Sequence, residues 1–417
     1  MRVFLTGVGD GGGKIAECYK DLLGQVVGSL IINTDELDFK NLSRVIGERN
    51  WERIGEARLR GSGTGGRWPL GSAAALESRD EIVNAAKDEK RRNRLADANL
   101  LLFTLSLGGG TGSGATPPVV EFFREELRRS TVGLKEKQPR QQIPSQAAPV
   151  TERPLEKREG PRENAKFKVS TLVVGTFPWR EEMVQQFAAV AALSRFLDVA
   201  DGVILADNDK ILKGSLGELP EANMTIARAT ELMFYSSRED ASGMFSTLDS
   251  TDLQTYCKVA GKAGFCVPCH AMSDEDIDST TLLREAVTKG AMVQCDYKSA
   301  FKAIMVLAGD PDEITLEEAR AAVRDLGQDI PIIRPVIVRS DRARREAFVL
   351  LNSPDMPKLK ETLDLAHDYV MLDSESLASE EWGRLTKQQI DDLFSKLQSQ
   401  LQVIESLRKR FSASKKP

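Results

Sequence analysis

A chain of 417 residues with 41% hydrophobic and 29% charged residues has the makeup of a globular protein with room for two to three domains. Its 57 basic and 62 acidic side chains leave a net charge of −5, which argues against a nucleic-acid partner, and no apolar run reaches the roughly 18 residues of a bilayer span. Five cysteines, an odd number in a long chain, point to reduced thiols, and an N-terminus that reads as a strand rather than a signal peptide points to the cytoplasm.

Met1–Gly7 predicts a first strand, followed by Gly7-Val8-Gly9-Asp10-Gly11-Gly12-Gly13 and a helical stretch from Lys14 through Tyr19. Gly7, Gly9 and Gly12 spell G-x-G-x-x-G, and a second strand, Val26 to Ile32, ends in Asn33-Thr34-Asp35. An acid about 20 residues beyond such glycines completes the outline of a dinucleotide-binding turn, so a nicotinamide-dependent enzyme is one reading. A second glycine-rich loop follows at Gly61-Ser62-Gly63-Thr64-Gly65-Gly66-Arg67. The densest comes after the apolar run Asn99–Leu107, as Gly108-Gly109-Gly110-Thr111-Gly112-Ser113-Gly114. Its glycines leave N–H groups uncovered and allow positive φ, and Thr111 and Ser113 add hydroxyl donors. Pro117 and Pro118 are expected to open the next helix, at a first turn where proline is favoured. A strand, a glycine turn and a helix N-terminus in that order form an anion cradle, with phosphate as the expected ligand. A Walker G-x-x-x-x-G-K-[ST] motif is absent. Several loops converging on one phosphate chain suit a nucleoside triphosphate better than the pyrophosphate of a dinucleotide.

The run Gly108 to Gly114 reads G-G-G-T-G-S-G, and on it the chain resembles the tubulin/FtsZ superfamily of filament-forming GTPases, whose signature is G-G-G-T-G-[ST]-G. Gly7–Gly13 is similar to that family's first nucleotide loop, Asn33-Thr34-Asp35 to its second, and Gly61–Gly66 with Gly71 and an alanine run to its third. Val169–Pro178 resembles the strand and loop that reach the ribose, and Asn208-Asp209-Lys210-Ile211-Leu212 the loop beside the base. Gln294–Ala300 and Leu307–Pro311 are more similar to the archaeal CetZ-like branch than to bacterial division FtsZ. The resemblance implies GTP or GDP with Mg²⁺ as ligands. In the first two loops it implies contacts from Gly9, Asp10, Gly11, Gly12, Lys14, Asn33 and Asp35. The third and fourth would add Gly65, Gly66, Gly108, Gly109, Gly110, Thr111, Gly112, Ser113 and Gly114. Pro178 with Glu181 or Glu182 would meet the ribose, and Asn208 and Asn223 the base, with Glu17 where a base-contacting asparagine often sits.

The expected architecture is α/β: a parallel-sheet nucleotide-binding domain over residues 1–218, a central connecting helix and following loop at 219–245, a smaller α/β domain at 246–353, and a C-terminal helical extension at 354–417. Residues 130–166 break the alternation of strands and helices. They carry Pro139, Pro144, Pro149, Pro154 and Pro161 among charged and amide side chains, and read as a mobile insertion serving as a tether, a partner-binding loop or plain surface. In 385–411, Ile390, Phe394, Leu397, Leu401, Ile404 and Leu407 repeat at spacings of three and four to give one apolar stripe. That stripe is expected to pack on the chain's own second domain; a partner protein, or a membrane surface helped by Arg408, Lys409, Arg410, Lys415 and Lys416, is the alternative.

Two histidines supply no convincing nucleophile–base pairing. The acidic pair that stands out is Asp249 and Asp252, whose spacing puts both carboxylates on one face of a helix start, where either could also serve as a cap. The resemblance implies more: a family loop here enters the neighbouring subunit's nucleotide pocket, where its carboxylates polarise the attacking water. Catalysis would then depend on head-to-tail self-assembly into an open filament. A GTP-binding scaffold with little turnover is the alternative of a different class. Thr247 replaces the family's usual asparagine, and Gln185 and Gln186 follow the ribose loop where an arginine contact is missing. Cys266-Val267-Pro268-Cys269-His270 spells the C-x-x-C-H of c-type haem, but an exported, oxidising context is not indicated, and the segment reads as a strand.

Overall fold

The computed structural model describes residues 1–23, 26–136, 169–212, 219–235, 248–275, 277–310, 314–339 and 344–414. The 130–166 insertion, Thr247, and Lys415 with Lys416 fall largely or wholly outside that set.

Apolar strands alternating with helices build the first half: β1 (Val3–Val8), α1 (Gly9–Leu23), β2 (Gly28–Asn33), β3 (Trp51–Arg53), α2 (Trp68–Glu77), α3 (Arg79–Lys87), β4 (Leu100–Ser106), α4 (Gly110–Glu136), β5 (Ser170–Phe177), α5 (Met183–Val199) and β6 (Gly202–Asp207). The strands run parallel in the order β3-β2-β1-β4-β5-β6, and all but short β3 are buried along their whole length or nearly so, as strands covered on both faces must be. Phe4 and Val8 of β1 face one core, Val3 and Leu5 the other. A helix, α6 (Leu219–Tyr235), packs against α1, with the Tyr19 hydroxyl 2.5 Å from Thr230 Oγ1 in the buried seam.

The second half comprises α7 (Ser250–Cys257), β7 (Lys258–Val259), β8 (Lys262–Ser273), α8 (Ser279–Thr288), β9 (Lys302–Gly309), α9 (Leu316–Asp329), β10 (Ile332–Arg339), β11 (Arg345–Asn352), α10 (Pro357–Leu372) and α11 (Lys387–Ser414). Its strands do not form a separate sheet. Gly202, Val203 and Ile204 of β6 pair in parallel with Gly264, Phe265 and Cys266 of β8, so one sheet continues through β8-β11-β9 to the edge strand β10. The Cys266–His270 motif lies in β8 as expected of a strand. Cys266 belongs to one core and Cys269 to the other, so alternation along the strand prevents them from serving one ligand.

The helix after the fourth glycine loop begins at Gly110, and Pro117 and Pro118 lie inside it rather than opening it. The glycine-dense turn is already helical, and buried contacts outweigh proline's missing N–H. The Gly114 carbonyl, which Pro118 cannot serve, accepts from Arg195 Nη1 at 3.3 Å. The stripe on α11 is covered by its own chain in both halves: Phe394 stacks on Phe187 of α5 at 6.3 Å, Gln400 donates to Val259 O, and Phe411 stacks on Phe301 at 6.1 Å. Those apolar residues are therefore spent on an intramolecular contact that reaches beyond the second half. Among the described residues no helix is long and apolar enough to cross a membrane.

Candidate nucleotide site

The C-terminal ends of β1, β2, β4 and β5 open onto a cleft of about 640 Å³. Its floor is made by two helix N-termini in contact. Gly9 opens α1 with φ +75, and a Cβ there would sit 3.1 Å from Gly112 N and 3.6 Å from Thr111 Cβ on α4. Both helices thus aim their unpaired first-turn N–H groups and positive dipole ends at one point. Four Cα-hydrogen positions are indispensable for closure around it. Side chains at Gly12 and Gly114 would strike Thr104 O at 2.3 Å and Trp68 O at 2.0 Å, and at Gly71 and Gly110 they would strike Gly110 O and Thr64 Oγ1, each at 2.4 Å.

Three threonines knit the loops. Thr111 Oγ1 lies 2.6 Å from Thr34 Oγ1 and 3.5 Å from Thr64 Oγ1, joining the second, third and fourth loops at a buried point. Asn33 accepts from Thr34 N at 2.8 Å and donates to Asp38 at 2.9 Å, while Asp35 caps the short helix Glu36–Lys40 through Leu37 N. Lys14 pairs with Asp10 at 2.7 Å on the cleft wall. Burial pushes the Asp38 carboxyl up from its ordinary value, and nearby Asp10 and Asp35 add to the rise. On the far side, Glu182 accepts from Trp179 N at 3.0 Å, and Gln186 Nε2 donates to Trp179 O at 2.7 Å, fixing the Pro178–Trp179 turn.

Gly9, Asp10, Gly11, Lys14, Asn33, Asp35, Gly65, Gly66, Gly108, Gly109, Gly110, Thr111, Gly112, Pro178, Glu182, Asn208 and Asn223 all line the cleft. Gly12 and Gly114 stand behind it as the close contacts described above, and Ser113 is turned inward, its Oγ donating to Leu107 O. Glu181 is exposed, so of the two glutamates Glu182 is the one at the cleft. Glu17 is buried and away from the lining. Its carboxylate takes Ser43 N and Ser43 Oγ, each at 2.5 Å, and Ile46 N at 3.3 Å, which makes it a brace for the segment after β2. Thr34, Thr64, Asp38, Ser106, Thr176 and Gln185 also line the cleft beyond the expected set. A threonine inside each of three glycine-rich or strand-end loops was the available signal for the first two.

Ion pairs connect the cleft to α10. Arg180 meets Glu361 at 3.0 Å, and buried Lys358 meets Asp209, beside Asn208, at 2.9 Å. Burial works against the Lys358 charge, but Asp209, Asp207 and Glu361 hold it above the ordinary lysine range.

Asp249 and Asp252 lie at the other end of the sheet. Asp249 caps α7 by accepting from Thr251 N at 2.7 Å and Asp252 N at 2.9 Å, and Asp252 accepts in return from Asp249 N at 3.2 Å. This capping box is fastened beside the start of β5, where Ser170 Oγ donates to Ser250 O and Gln254 donates to Val169 O. Neither carboxylate reaches the cleft of its own chain.

Residues 2–135 match the family described as Tubulin/FtsZ family, GTPase domain. The chain carries a tubulin/FtsZ-family GTPase domain. Tubulin-like protein CetZ2 of Haloferax volcanii is 28% identical over 345 residues, spanning 78% of this chain and 81% of that protein. Cell division protein FtsZ 1 of Archaeoglobus fulgidus is 25% identical over 331 residues, or 77% and 72% of the two chains. The structure of Haloferax volcanii CetZ2 as a GTPγS-bound protofilament shares the fold, with a TM-score of 0.69 at 22% identity over 90% of this chain and 100% of that one. The family match sets aside the nicotinamide reading of the first glycine loop. All four glycine-rich or strand-end loops belong to the GTPase domain.

Proposed function

We propose that the cleft binds GTP or GDP with Mg²⁺, and that copies of the chain assemble head-to-tail into polar filaments in which Asp249 and Asp252 of one copy complete the nucleotide site of the next. The observation that carries this reading is the placement of the two halves of the chemistry. The phosphate cradle sits at the C-terminal end of β5 and the acidic pair at its N-terminal end, roughly 23 Å apart along the strand by its rise of about 3.3 Å per residue. A site split between opposite ends is completed only by a second copy in the same orientation, and such a contact propagates instead of closing.

The phosphates would lie against the N-termini of α1 and α4, whose N–H groups stabilise charge developing in the transition state. Glu182 and the Pro178 turn suit the ribose, and Asn208 and Asn223 suit the base edge. Asp10, Asp35 and Asp38 give the cleft an acidic wall, yet no group of three His, Cys, Asp or Glu able to hold a metal occurs among the described residues. Magnesium would therefore enter on phosphate oxygens and water, as it commonly does, and neutralise phosphate charge. The incoming carboxylates would orient a water in line with the terminal phosphate.

The capping box favours one second reading, a GTP-dependent scaffold with little turnover, since both carboxylates already serve α7. Phosphate release at increasing protein concentration, with electron microscopy in GTP, GDP and a non-hydrolysable analogue, separates the two. Turnover per subunit should rise above a threshold as filaments appear. Filaments without phosphate release would favour the scaffold; turnover independent of concentration, or unchanged by Asp249→Ala and Asp252→Ala, would remove the trans-acting role.

A further inference from the structure

Two loops that line the cleft, Pro178–Glu182 and Asn208–Ile211, are both tied to α10. Asn208 lines the cleft at the start of a short helix that Asp207 caps by accepting from Asp209 N at 3.1 Å. Asp209 itself meets Lys358 Nζ at 2.9 Å. The Lys358 side chain is 7% exposed and Asp207 is buried, so one ammonium faces the carboxylates of Asp207, Asp209 and Glu361 in a sheltered place. Local rules argue against a lysine here. It stands in the first turn of α10, where the dipole disfavours a cation; that turn carries no acid, and Met356 at the N-cap has no oxygen to offer. A residue that breaks the rules of its own helix is placed for its tertiary partners. One turn on, Glu361 lies 3.6 Å from Lys358 and takes Arg180 at 3.0 Å. That second tie is the weaker one, because the Arg180 side chain is 69% exposed and such pairs contribute little in water.

We infer that Lys358 is a positioning residue for the nucleoside: by holding Asp209 it fixes Asn208 in the cleft, and through Glu361 it joins that loop to the Pro178–Glu182 turn. This rests on the reading that the cleft takes a guanine nucleotide with Asn208 at its base. Asn208 lies between two aspartates in the chain, and without the ammonium the carboxylates of Asp207 and Asp209 repel each other across it. The turn then opens or Asp207 takes a proton, and either loosens the cap beneath the amide that reads the base edge. The phosphate cradle stands on α1 and α4 instead. Coupling of this kind is reciprocal, so a nucleotide held by Asn208 tightens the start of α10. A helix from the far end of the chain thereby takes part in choosing the base.

The test uses the dilute full-length chain with Lys358→Met, which keeps the buried stem and loses the charge, Asp209→Asn, the double variant and Glu361→Gln. GDP, a non-hydrolysable GTP analogue, ATP and inorganic tripolyphosphate each compete against a fluorescent guanine nucleotide. Lys358→Met should bind both guanine nucleotides about tenfold more weakly and lose part of the preference over ATP, while tripolyphosphate stays within about twofold of wild type. A purely structural loss would weaken every competitor alike. The double variant should bind at least as tightly as Lys358→Met, because Asp209→Asn removes the repulsion left behind. Glu361→Gln should lose less than Lys358→Met. In the wild-type chain, where no variant has to fold, GDP should slow hydrogen exchange at the start of α10 and tripolyphosphate should not. Guanine-nucleotide affinity within about twofold of wild type in Lys358→Met, an equal loss for tripolyphosphate, a multiplicative loss in the double variant, or exchange over α10 that GDP leaves unchanged overturns the inference. A wild-type chain with no preference for guanine nucleotides over ATP would instead sink the reading of the cleft itself.

Discussion

Gly110→Ala tests whether the third and fourth glycine loops form a single wall of the cleft. An alanine Cβ at this position would lie 2.4 Å from Thr64 Oγ1, 2.6 Å from Arg67 N and 2.7 Å from Gly66 C. The threonine can turn away, but the two backbone atoms cannot. Restoring an ordinary contact of about 3.4 Å to Arg67 N requires the Gly63–Arg67 loop to retreat by about 0.8 Å. Overpacking of this kind costs about 1–3 kcal/mol. Charged wholly to the binding-competent arrangement, that is a loss of roughly 5- to 150-fold in nucleotide affinity. Gly65→Ala is the control. Gly65 has φ +59, so alanine is strained there by about 1–2 kcal/mol, yet no atom lies within 4 Å of its added Cβ and nothing is displaced. Competition against a fluorescent guanine nucleotide, with melting followed in parallel, should show a large affinity loss for Gly110→Ala. Gly65→Ala should lose mainly stability, with less than about a fivefold change in binding. Binding by a folded Gly110→Ala protein within twofold of wild type would refute the shared wall, as would equal losses in the two variants.

Tyr19→Phe removes the buried hydroxyl joining α1 to α6, while Thr230 keeps its bonds to Ile226 O and Ala227 O, so stability should drop by about 1 kcal/mol in urea titrations. An unchanged midpoint would show that the seam is held by packing alone. Phe394→Ala removes the ring stacked on Phe187 and should cost about 3 kcal/mol, read as faster hydrogen exchange along α11. Protection equal to wild type would mean that α11 is anchored elsewhere. Asp38 has a raised pKa in the folded protein, so just above the ordinary aspartate range the folded state holds more proton than the unfolded one, and stability falls as pH rises through that window. Asp38→Asn should flatten this slope in thermal melts; identical slopes would contradict the burial assigned to the carboxyl.

The glycine loops were legible because glycine is the only residue that tolerates both positive φ and the approaches of 2.0–2.4 Å that a Cβ would make at Gly12, Gly71, Gly110 and Gly114. What sequence could not separate was contact with a ligand from contact with the protein. Gly12 and Gly114 admit backbone to backbone, Ser113 satisfies Leu107 O, and Glu17 looks like a base reader only until the loop from Ser43 to Ile46 folds over it. The start of α4 was misjudged because local proline preference was set against a turn whose helicity comes from tertiary contacts with α2 and Arg195. Continuity of the sheet across β6 and β8 had no local signature, since its three paired residues lie more than 60 positions from their partners. The Lys358–Asp209 pair, 149 residues apart, was equally beyond reach of spacing.

The phosphate cradle and the acidic box are both anchored to β5, a fully buried strand with hydrogen-bonded neighbours on each side. In mechanical terms the subunit is a stiff rod from one end to the other, because stretching it would mean shearing ladder bonds in a packed interior of low compressibility. In the proposed filament of such rods, bending and stretching would concentrate at the joints, where the nucleotide cleft of one copy would face α7 of the next. Load along the polymer would then be felt first by the bond that is to be hydrolysed.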